Sequence, residues 1–371
     1  MRLGLLQLRR ARRRTSVLIA TVVALTALVL LVSTISSTLF TSLAGAVDSM
    51  RADVVVLTSA AQGTVQASRV GRDTVDEVAR VDGVQRVAPV GETRVTVVLE
   101  DQRLDASLFG IDPQGPGGPT DLVAGRLPAS PTEALADDAD ARRGVTLGSH
   151  LEVVGADTAL EVVGLTNGAR FGGVVTLYAP YRTWQDVLTA LFPDATEIRP
   201  SLIAVEGTAG TDPEQLAARI TATVDGVAAS TPATAAMHLP GLTGIRDSFR
   251  LIGLIAAGSA LVLIGAFWSL VTAQQERSLA ALRATGVATA ALVRALLVQV
   301  VVVVGTGVAV AGALLWFGGR QAPPAFPLTP EPTEVVMVGL ALLAGGVAAA
   351  LPATVRLVRI DPVTALARSE R

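Results

Sequence analysis

Four long apolar runs divide the chain and leave one large mixed region between the first two of them. The charge-free runs are Val17–Phe40, Leu251–Ala273, Ala295–Gly319 and Val335–Val355. At ~1.5 Å rise per residue, the first reaches roughly 36 Å and exceeds the ~30 Å hydrocarbon core of a bilayer. Each run therefore predicts a helix that spans the membrane.

The region between the first and second runs has the pattern of a globular domain, with short β-branched segments bounded by turn residues. Strands are predicted over Asp53–Thr58, Gln85–Val90, Thr93–Glu100, Arg103–Ile111, His150–Val154, Leu160–Leu165, Val174–Tyr178 and Ser201–Val205. Helices are predicted over Thr74–Arg80, Tyr181–Phe192 and Pro213–Thr223. The fold class that follows is a membrane protein with four transmembrane helices and an α+β domain inserted between helices 1 and 2.

The predicted organisation assigns every part of the chain to one side of the membrane or to a span. It comprises a basic cytoplasmic N-terminus (1–15), transmembrane helix 1 (16–40), an extracytoplasmic domain (41–250), transmembrane helix 2 (251–273), a cytoplasmic segment (274–294), transmembrane helix 3 (295–319), an extracytoplasmic loop (320–334), transmembrane helix 4 (335–355) and a cytoplasmic tail (356–371).

A short internal echo occurs in the mixed region. A predicted helix followed by Val81-Asp82-Gly83-Val84 recurs as a helix followed by Val224-Asp225-Gly226-Val227. Asp-Gly favours a tight reversal because glycine tolerates positive φ. Two βαβ-like units in one sheet would explain the echo, and chance recurrence of a four-residue turn is the alternative.

The charge distribution indicates which side of the membrane each segment faces. The N-terminus carries Arg9, Arg10, Arg12, Arg13 and Arg14 without an acidic residue, whereas the loop 320–334 carries only Arg320 as a basic residue. Because basic segments stay in the cytoplasm, both termini are predicted to be cytoplasmic in the plasma membrane. A cleaved signal peptide ending near Ala44-Gly45-Ala46 is the competing interpretation, but its apolar region would be unusually long.

The composition excludes several kinds of chemistry. The chain has no cysteine and no lysine, so disulfides, thiolate metal sites and a phosphate-binding Walker A lysine are absent. The two histidines, His150 and His238, are far apart and are read as loop residues. A net charge of −2 argues against a nucleic-acid partner. No catalytic, cofactor-binding or metal-binding residues are predicted.

Two polar stretches of the mixed region can be considered as binding sites, but neither has the pattern of one. Asp137, Asp138 and Asp140 lie in a charged stretch that is read as solvated, because it lacks the ligand spacing of a calcium loop. Gly168–Gly173 is glycine-rich but precedes a strand-like run, so a phosphate cradle is not expected there.

The cytoplasmic segment 274–294 is the stretch most indicative of function. At ~100° per residue on a helix, Glu276, Leu279 and Arg283 share one face and Arg277 points away from it. Such a helix can offer a docking edge to a cytoplasmic partner. The alternative is a connector whose arginines only obey the charge rule for cytoplasmic loops.

The whole pattern resembles a known family of ABC transporter permeases. One span, a large outer domain and three further spans, with Glu276-Arg277-x-x-x-x-Leu282-Arg283-Ala284-x-Gly286 after the second, is similar to the MacB, LolC, LolE and FtsX permeases. The tail Arg359-Ile360-Asp361-Pro362-Val363-Thr364-Ala365-Leu366 and the outer phrase Val123-Ala124-Gly125-Arg126-Leu127 also resemble this family. Ser278-Leu279-Ala280-Ala281 departs from the motif.

The resemblance implies a permease subunit that is not itself an enzyme. ATP would be bound by a separate ABC ATPase subunit, and a second permease chain, identical or not, would complete the complex in the lipid bilayer. The ATPase-coupling residues would be Glu276, Arg277, Leu279, Leu282, Arg283 and Gly286. A membrane-anchored sensor or scaffold without transport, and a membrane-embedded enzyme, remain as alternatives, and the cargo stays unspecified.

Overall fold

The computed structural model describes residues 12–284, 289–319, 321 and 332–359. The chain divides into two compact units, the outer domain Ser37–Arg246 and a helical unit drawn from Met1–Ser36 and Asp247–Arg371. The helices are α1 (Arg12–Asp48), α2 (Arg72–Ala79), α3 (Tyr181–Leu191), α4 (Pro213–Thr223), α5 (Pro232–Met237), α6 (Leu242–Ala284), α7 (Thr289–Gly319) and α8 (Pro332–Arg359).

The strands found in the described residues all lie in the outer domain. They are β1 (Val54–Thr58), β2 (Val84–Leu99), β3 (Gln102–Ile111), β4 (Leu122–Gly125), β5 (Glu133–Asp137), β6 (His150–Val153), β7 (Ala159–Thr166), β8 (Val175–Pro180), β9 (Leu202–Gly207) and β10 (Val227–Ser230). Their order in the sheet is β10-β1-β9-β2-β3-β8-β5-β7-β4, and β6 pairs with β2 and β7. The predicted combination of helices and a sheet in one domain is therefore observed.

The helical unit packs its apolar faces around small residues. A core of buried side chains, including Val22, Ile264 and Val304, joins the described parts of the unit. Gly307 lies so close to Val22 that an added Cβ would be 2.5 Å from its side chain. The lack of a side chain at Gly307 thus allows close helix packing.

Three described helical stretches are long and apolar enough to cross a membrane: Ile19–Asp48, Leu242–Leu270 and Leu297–Gly319. The apolar part of α8, Val335–Ala348, is shorter. The structure thus supports three spans by length and composition, and the predicted fourth span is not confirmed.

Helix ends differ from the predicted spans in a consistent way. The first predicted span ends at residue 40, but α1 continues to Asp48 inside the outer domain. The second is predicted over 251–273, but α6 runs from Leu242 to Ala284 without interruption. Polar residues at the ends of these helices do not stop them, since their backbone bonds are satisfied within the helix.

The internal echo corresponds to two interlocked βαβ units. In the order β10-β1-β9-β2, β9 lies between β1 and β2, and β1 lies between β9 and β10. All three neighbouring pairs are antiparallel. Helices α2 and α4 cover this part of the sheet with a shared core that includes Val78, Leu216 and Ile220. This arrangement is a split βαβ topology.

Strand β2 connects this part of the sheet to a second part. Its first half, from Val84 to Val90, pairs with β9, and its second half, from Gly91 to Leu99, pairs with β3. The sequence predicts a break at Gly91 and Glu92, and that prediction is wrong. Gly91 contacts Trp184 of α3, and Glu92 is buried. These tertiary contacts stabilise the extended conformation at both residues, so the strand continues past them.

The predicted strands and helices of the outer domain omit four observed elements. They are the edge strands β4 and β10, strand β5 and the short helix α5. The Ala-Asp composition of β5 is typical of exposed loops, yet residues 134–137 are fully buried between β8 and β7. Burial on both faces explains why no apolar alternation is visible.

Candidate functional site

The predicted coupling residues lie mostly at the end of α6. Glu276, Arg277, Leu279, Leu282 and Arg283 are in its last turns, and their side chains fall outside the description. Gly286 lies outside the described residues. The predicted segment 274–294 thus combines the end of α6 with the start of α7 and is continuous with the second predicted span.

The predicted topology-determining arginines are only partly described. Arg12, Arg13 and Arg14 form the first turn of α1, and Arg9 and Arg10 lie outside the described residues. The backbone places the three described arginines on the same helix that later enters the outer domain.

Both helices that lead into the outer domain are embedded in its hydrophobic core. Ala44 and Val47 of α1 are fully buried, and Leu242, the first residue of α6, is 6% exposed. They share one cluster with Phe109 and Tyr178 of the sheet. The described parts of the outer domain therefore contain a junction where the ends of two long helices meet one core.

The loop 168–173 forms the side of this junction that touches α1. Ala46 donates its backbone amide hydrogen to the Arg170 carbonyl oxygen at 2.8 Å. In return, Gly172 donates to the Leu43 carbonyl at 3.1 Å and Gly173 to the Ser42 carbonyl at 2.9 Å. The contact is thus made by backbone groups in both directions.

Buried charged groups lie beneath this loop. Asp137 and Asp140 are 1% and 0% exposed, so the prediction of a solvated charge run is wrong for both of them. Asp137 ends β5 and accepts a hydrogen bond from the Ala169 amide at 2.7 Å, and Asp140 accepts one from the Thr176 amide at 3.0 Å. Backbone amides thus supply partners to both carboxylates, whereas Asp140 Oδ1 has no hydrogen-bond partner among the described residues.

An ion pair completes the cluster. Asp140 Oδ1 and Arg170 Nε are 3.4 Å apart, and both side chains are buried. Burial, the largest cause, raises the pKa of Asp137 to about 6 and also raises the pKa of Asp140. The Tyr178 hydroxyl donates to the Ala169 carbonyl at 2.5 Å, and burial raises its pKa well above the ordinary value.

A third buried carboxyl lies on the same face of the sheet. Glu92 is 2% exposed and accepts a hydrogen bond from the Ser107 hydroxyl at 2.6 Å. Burial raises its pKa, against the opposing effect of Ser107 and the nearby Arg94. Arg94 in turn reaches the Gly172 carbonyl at 3.5 Å, which links Glu92 to the loop.

A polar cleft of about 600 Å³ lies elsewhere in the outer domain, beside β2 and β6. It is lined by Glu100, His150 and Glu152, among other residues, and His150 is exposed. His238 is also exposed and contacts the Thr234 carbonyl. Among the described residues, no group of three or more acidic or histidine side chains could hold a metal ion.

Sequence reasoning missed the junction, although it noted both of its parts. The glycine-rich stretch 168–173 was weighed only as a phosphate cradle, and the acidic stretch 136–143 only as a cation site. The sequence signal for the junction was Arg170, the one charged residue of the glycine-rich loop 168–173. Its positive charge is opposite to that of the acidic stretch 136–143, which suggests an ion pair. Pairing them requires the sheet, because Asp140 and Arg170 are far apart in sequence.

The fold and the junction define a membrane-anchored protein in which long helices continue into a folded domain. The chain belongs to the family with a MacB-like periplasmic core domain, whose model matches residues 15–223. It is therefore a membrane protein with an extracytoplasmic domain, and the predicted MacB-like resemblance is confirmed.

Two mycobacterial relatives are ABC transporter permeases by their descriptions. The chain is 26% identical over 323 residues to an uncharacterized ABC transporter permease of Mycobacterium tuberculosis, covering 86% of this chain and 85% of the relative. An uncharacterized ABC transporter permease of Mycobacterium bovis matches with the same values of 26%, 86% and 85%.

Two solved structures each match about half of the chain. One is the periplasmic region of MacB from Actinobacillus actinomycetemcomitans, with 15% identity, a TM-score of 0.35 and coverage of 49% of this chain and 89% of that chain. The other is the extracellular domain of the noncanonic ABC-type transporter YknZ from Gram-positive bacteria. It has 17% identity, a TM-score of 0.32 and coverage of 48% of this chain and 99% of that chain. Family membership rests on the sequence match alone.

Proposed function

We propose that the chain is the permease subunit of an ABC transporter, and that it transmits ATP-driven motion of a separate ATPase subunit to its extracytoplasmic domain. The continuity of α6 carries this proposal. The helix has 43 residues and runs from Leu242, buried in the outer domain, past Glu276 and Arg283 to Ala284. At ~1.5 Å per residue it is roughly 64 Å long, about twice the hydrocarbon thickness.

An uninterrupted helix is suited to this task because it has no joint at which motion is lost. Proline, a common cause of sharp helix kinks, is absent from α6, and the helix continues through its Gly258-Ser259 pair. A displacement of the end near Arg283 therefore reaches Leu242. Helix α1 offers a second such connection, with 37 residues from Arg12 to Asp48.

The proposed topology places both termini in the cytoplasm and counts α8 as a fourth span. The arginine-rich N-terminus and the arginines near 277–294 support this orientation. The apolar stretch Val335–Ala348 is part of the 28-residue helix α8, whose full length is sufficient for a span. The coupling segment then faces a cytoplasmic ATPase.

The absence of lysine supports a division of labour between two kinds of subunit. Without lysine, the chain cannot supply the P-loop lysine that holds nucleotide phosphates. ATP is bound and hydrolysed by the partner ATPase, and a second permease chain, identical or not, forms the other half of the complex. Each cycle of ATP binding and hydrolysis results in the export or release of a substrate at the outer face of the membrane.

The test is reconstitution of the full chain in nanodiscs with the ABC ATPase that co-purifies from its native membranes. The double variant Glu276→Arg/Arg283→Glu is expected to lower the amount of bound ATPase by about tenfold or more, since loss of about 1.4 kcal/mol of charge-assisted contact changes binding tenfold. Arg294→Glu is the matched control, because Arg294 is exposed near the start of α7 but lies outside the motif.

A second measurement tests transmission. The chain lacks cysteine, so spin labels can be placed at Asp225→Cys in the outer domain and Gln321→Cys after α7, both exposed positions. ATP with the partner is expected to change the distance between the two labels. An unchanged distance, or an ATPase that binds the charge-reversed chain normally, would refute the proposal and favour a sensor or scaffold.

A further inference from the structure

We infer that the loop 168–173 is a clasp that fixes the outer end of α1 to the extracytoplasmic domain, with Asp137, Asp140 and Tyr178 as its positioning residues. This inference rests on the proposed function, because it names the point where motion of α1 enters the domain. The clasp grips α1 at residues 42–46, before the helix ends at Asp48.

The loop is bonded to backbone groups along the side of α1. Gly172 and Gly173 donate to the Leu43 and Ser42 carbonyls, while Ala46 donates to the Arg170 carbonyl. Hydrogen bonds of this kind weaken steeply beyond ~3.5 Å, so sliding α1 by one residue, about 1.5 Å, would disrupt all three. Axial movement of α1 must therefore carry the clasp with it.

Close approach reinforces the grip. A Cβ at Gly45 would overlap the carbonyl oxygen of Gly168, so only glycine lets the helix lie this near the loop. On the other side, the backbone at Gly168 has φ +69, a conformation that favours glycine. Both surfaces are thus shaped for backbone contact.

The positioning residues hold the clasp from below. The Ala169 peptide is fixed at both ends, since its amide donates to Asp137 and its carbonyl accepts from Tyr178. The next residue, Arg170, pairs with Asp140, which is also bonded to the Thr176 amide. Asp137 is in β5, Thr176 and Tyr178 are in β8, and Asp140 is in the short 3-10 helix Asp138–Arg143 that directly follows β5. Force on the clasp is therefore passed to the sheet.

The burial of these charges supports a positioning role. Hydrophobic residues of similar size would fill the space without the desolvation cost of an ion pair. A buried carboxylate does, however, fix two backbone segments in one geometry, as Asp137 does for Ala139 and Ala169. The cluster thereby gives the loop a single conformation.

Two variants test the clasp in the full chain in nanodiscs by hydrogen exchange. Gly45→Ala is expected to speed exchange of the amides of Ala46, Gly172 and Gly173 together, by about tenfold or more, as these bonds are opened. Tyr178→Phe removes only a hydroxyl and should speed exchange of the same amides. The amides that join β1 to β9 should stay protected in both variants.

Matched controls separate the clasp from general effects. Gly244→Ala makes the same change in α6, where an added Cβ meets nothing within 4 Å. Tyr181→Phe makes the same change in the partly buried first residue of α3. Neither control should alter exchange at residues 42–46 or 168–173. Unchanged exchange at these residues in both Gly45→Ala and Tyr178→Phe would overturn the inference.

Coupling is then measured with the partner ATPase and the labels at positions 225 and 321. In the Gly45→Ala variant, the partner ATPase is expected to keep its ATP hydrolysis, whereas most of the ATP-dependent change in the distance between the labels is expected to be lost. Simple unfolding would not remove the distance change while leaving ATP hydrolysis intact. If Gly45→Ala does not fold, Tyr178→Phe provides the same readout with a smaller loss. A distance change of full amplitude despite loosened exchange would overturn the clasp, whereas absence of the change in the unaltered chain would refute the proposed function instead.

Discussion

The carboxylate of Asp137 accepts a hydrogen bond of 2.7 Å from the backbone amide of Ala169, 32 positions further along the chain. Asp137 is the last residue of β5, and Ala169 lies in the loop that contacts α1. This single bond joins an interior strand to the surface loop beside a long helix. Its strength depends on the charge of a group whose pKa is raised to about 6.

Asp137 should make the outer domain less stable as the pH rises through about 6. Folding raises its pKa from the ordinary 3.8 to about 6, so the folded state binds the proton more tightly than the unfolded state. The resulting loss of stability grows between pH 4 and 6 and is complete above it. From pH 5 to 7.5, unfolding free energy should fall by about 1 kcal/mol more in the unaltered chain than in Asp137→Asn.

The measurement is urea unfolding of the full chain with Trp268→Phe and Trp316→Phe in detergent, followed by the fluorescence of the remaining Trp184. Asp186→Asn, on the exposed face of α3, is the control. The charged and titratable groups around Asp137 are Asp138, Asp140, Arg143, Arg170 and Tyr178. Equal pH dependence in the unaltered chain and Asp137→Asn would show that Asp137 does not titrate in this range.

Trp184 should be sensitive to any side chain placed beneath it. It is 1% exposed and covers Gly91 and Gly110, which are directly paired between β2 and β3. Gly110→Ala is expected to lower the unfolding free energy by about 1–3 kcal/mol through overpacking. Gly244→Ala, where the added Cβ meets nothing within 4 Å, should not lower the unfolding free energy in the same urea titration.

Glu133 should stabilise the loop 126–133 down to strongly acidic pH. It binds Arg126 at 2.6 and 2.7 Å and accepts the Ala129 amide at 2.8 Å. The hydrogen bond from Arg126, the largest cause, lowers the pKa of Glu133 to about 2, so its stabilising effect is present above the ordinary value of 4.5 and is lost as the pH falls through about 2.

Limited proteolysis of the same loop provides the check. Glu133→Gln should increase cleavage within 126–133 at pH 7, and Arg126→Lys should increase it less than Arg126→Gln, because lysine keeps the charge but cannot form the paired bonds. Cleavage at equal rates in all three variants and the unaltered chain would contradict this role.

The turn between β2 and β3 stores backbone strain at one residue. Glu100 has φ 55, a left-handed conformation that is costly for residues other than glycine. Glu100→Gly is expected to raise the unfolding free energy by up to about 1 kcal/mol, and Asp101→Gly, at the adjacent position with ordinary φ, to lower it. Both variants can be compared by thermal unfolding, and effects of the same sign would contradict the assignment of strain.

The class of protein could be predicted from the sequence, because it depends on the pattern of apolar and polar residues within short segments. Charge-free runs such as Leu251–Ala273 predict helices from their length and composition, and α6 contains that run in full. Short β-branched segments predicted β1, β3 and β7 nearly to the residue. The MacB-like resemblance rested on short motifs and on their order along the chain.

The sequence by itself determined the apolar helices, most strands of the outer domain and the family resemblance, since these depend on neighbours along the chain. Only the tertiary structure decided that Asp137 and Asp140 are buried and that Arg170 faces them. It also decided that Gly91 lies within one long strand and that Gly45 touches a loop. These features arise where sheet pairing joins distant segments, and no local pattern of polar and apolar residues records which segments those are.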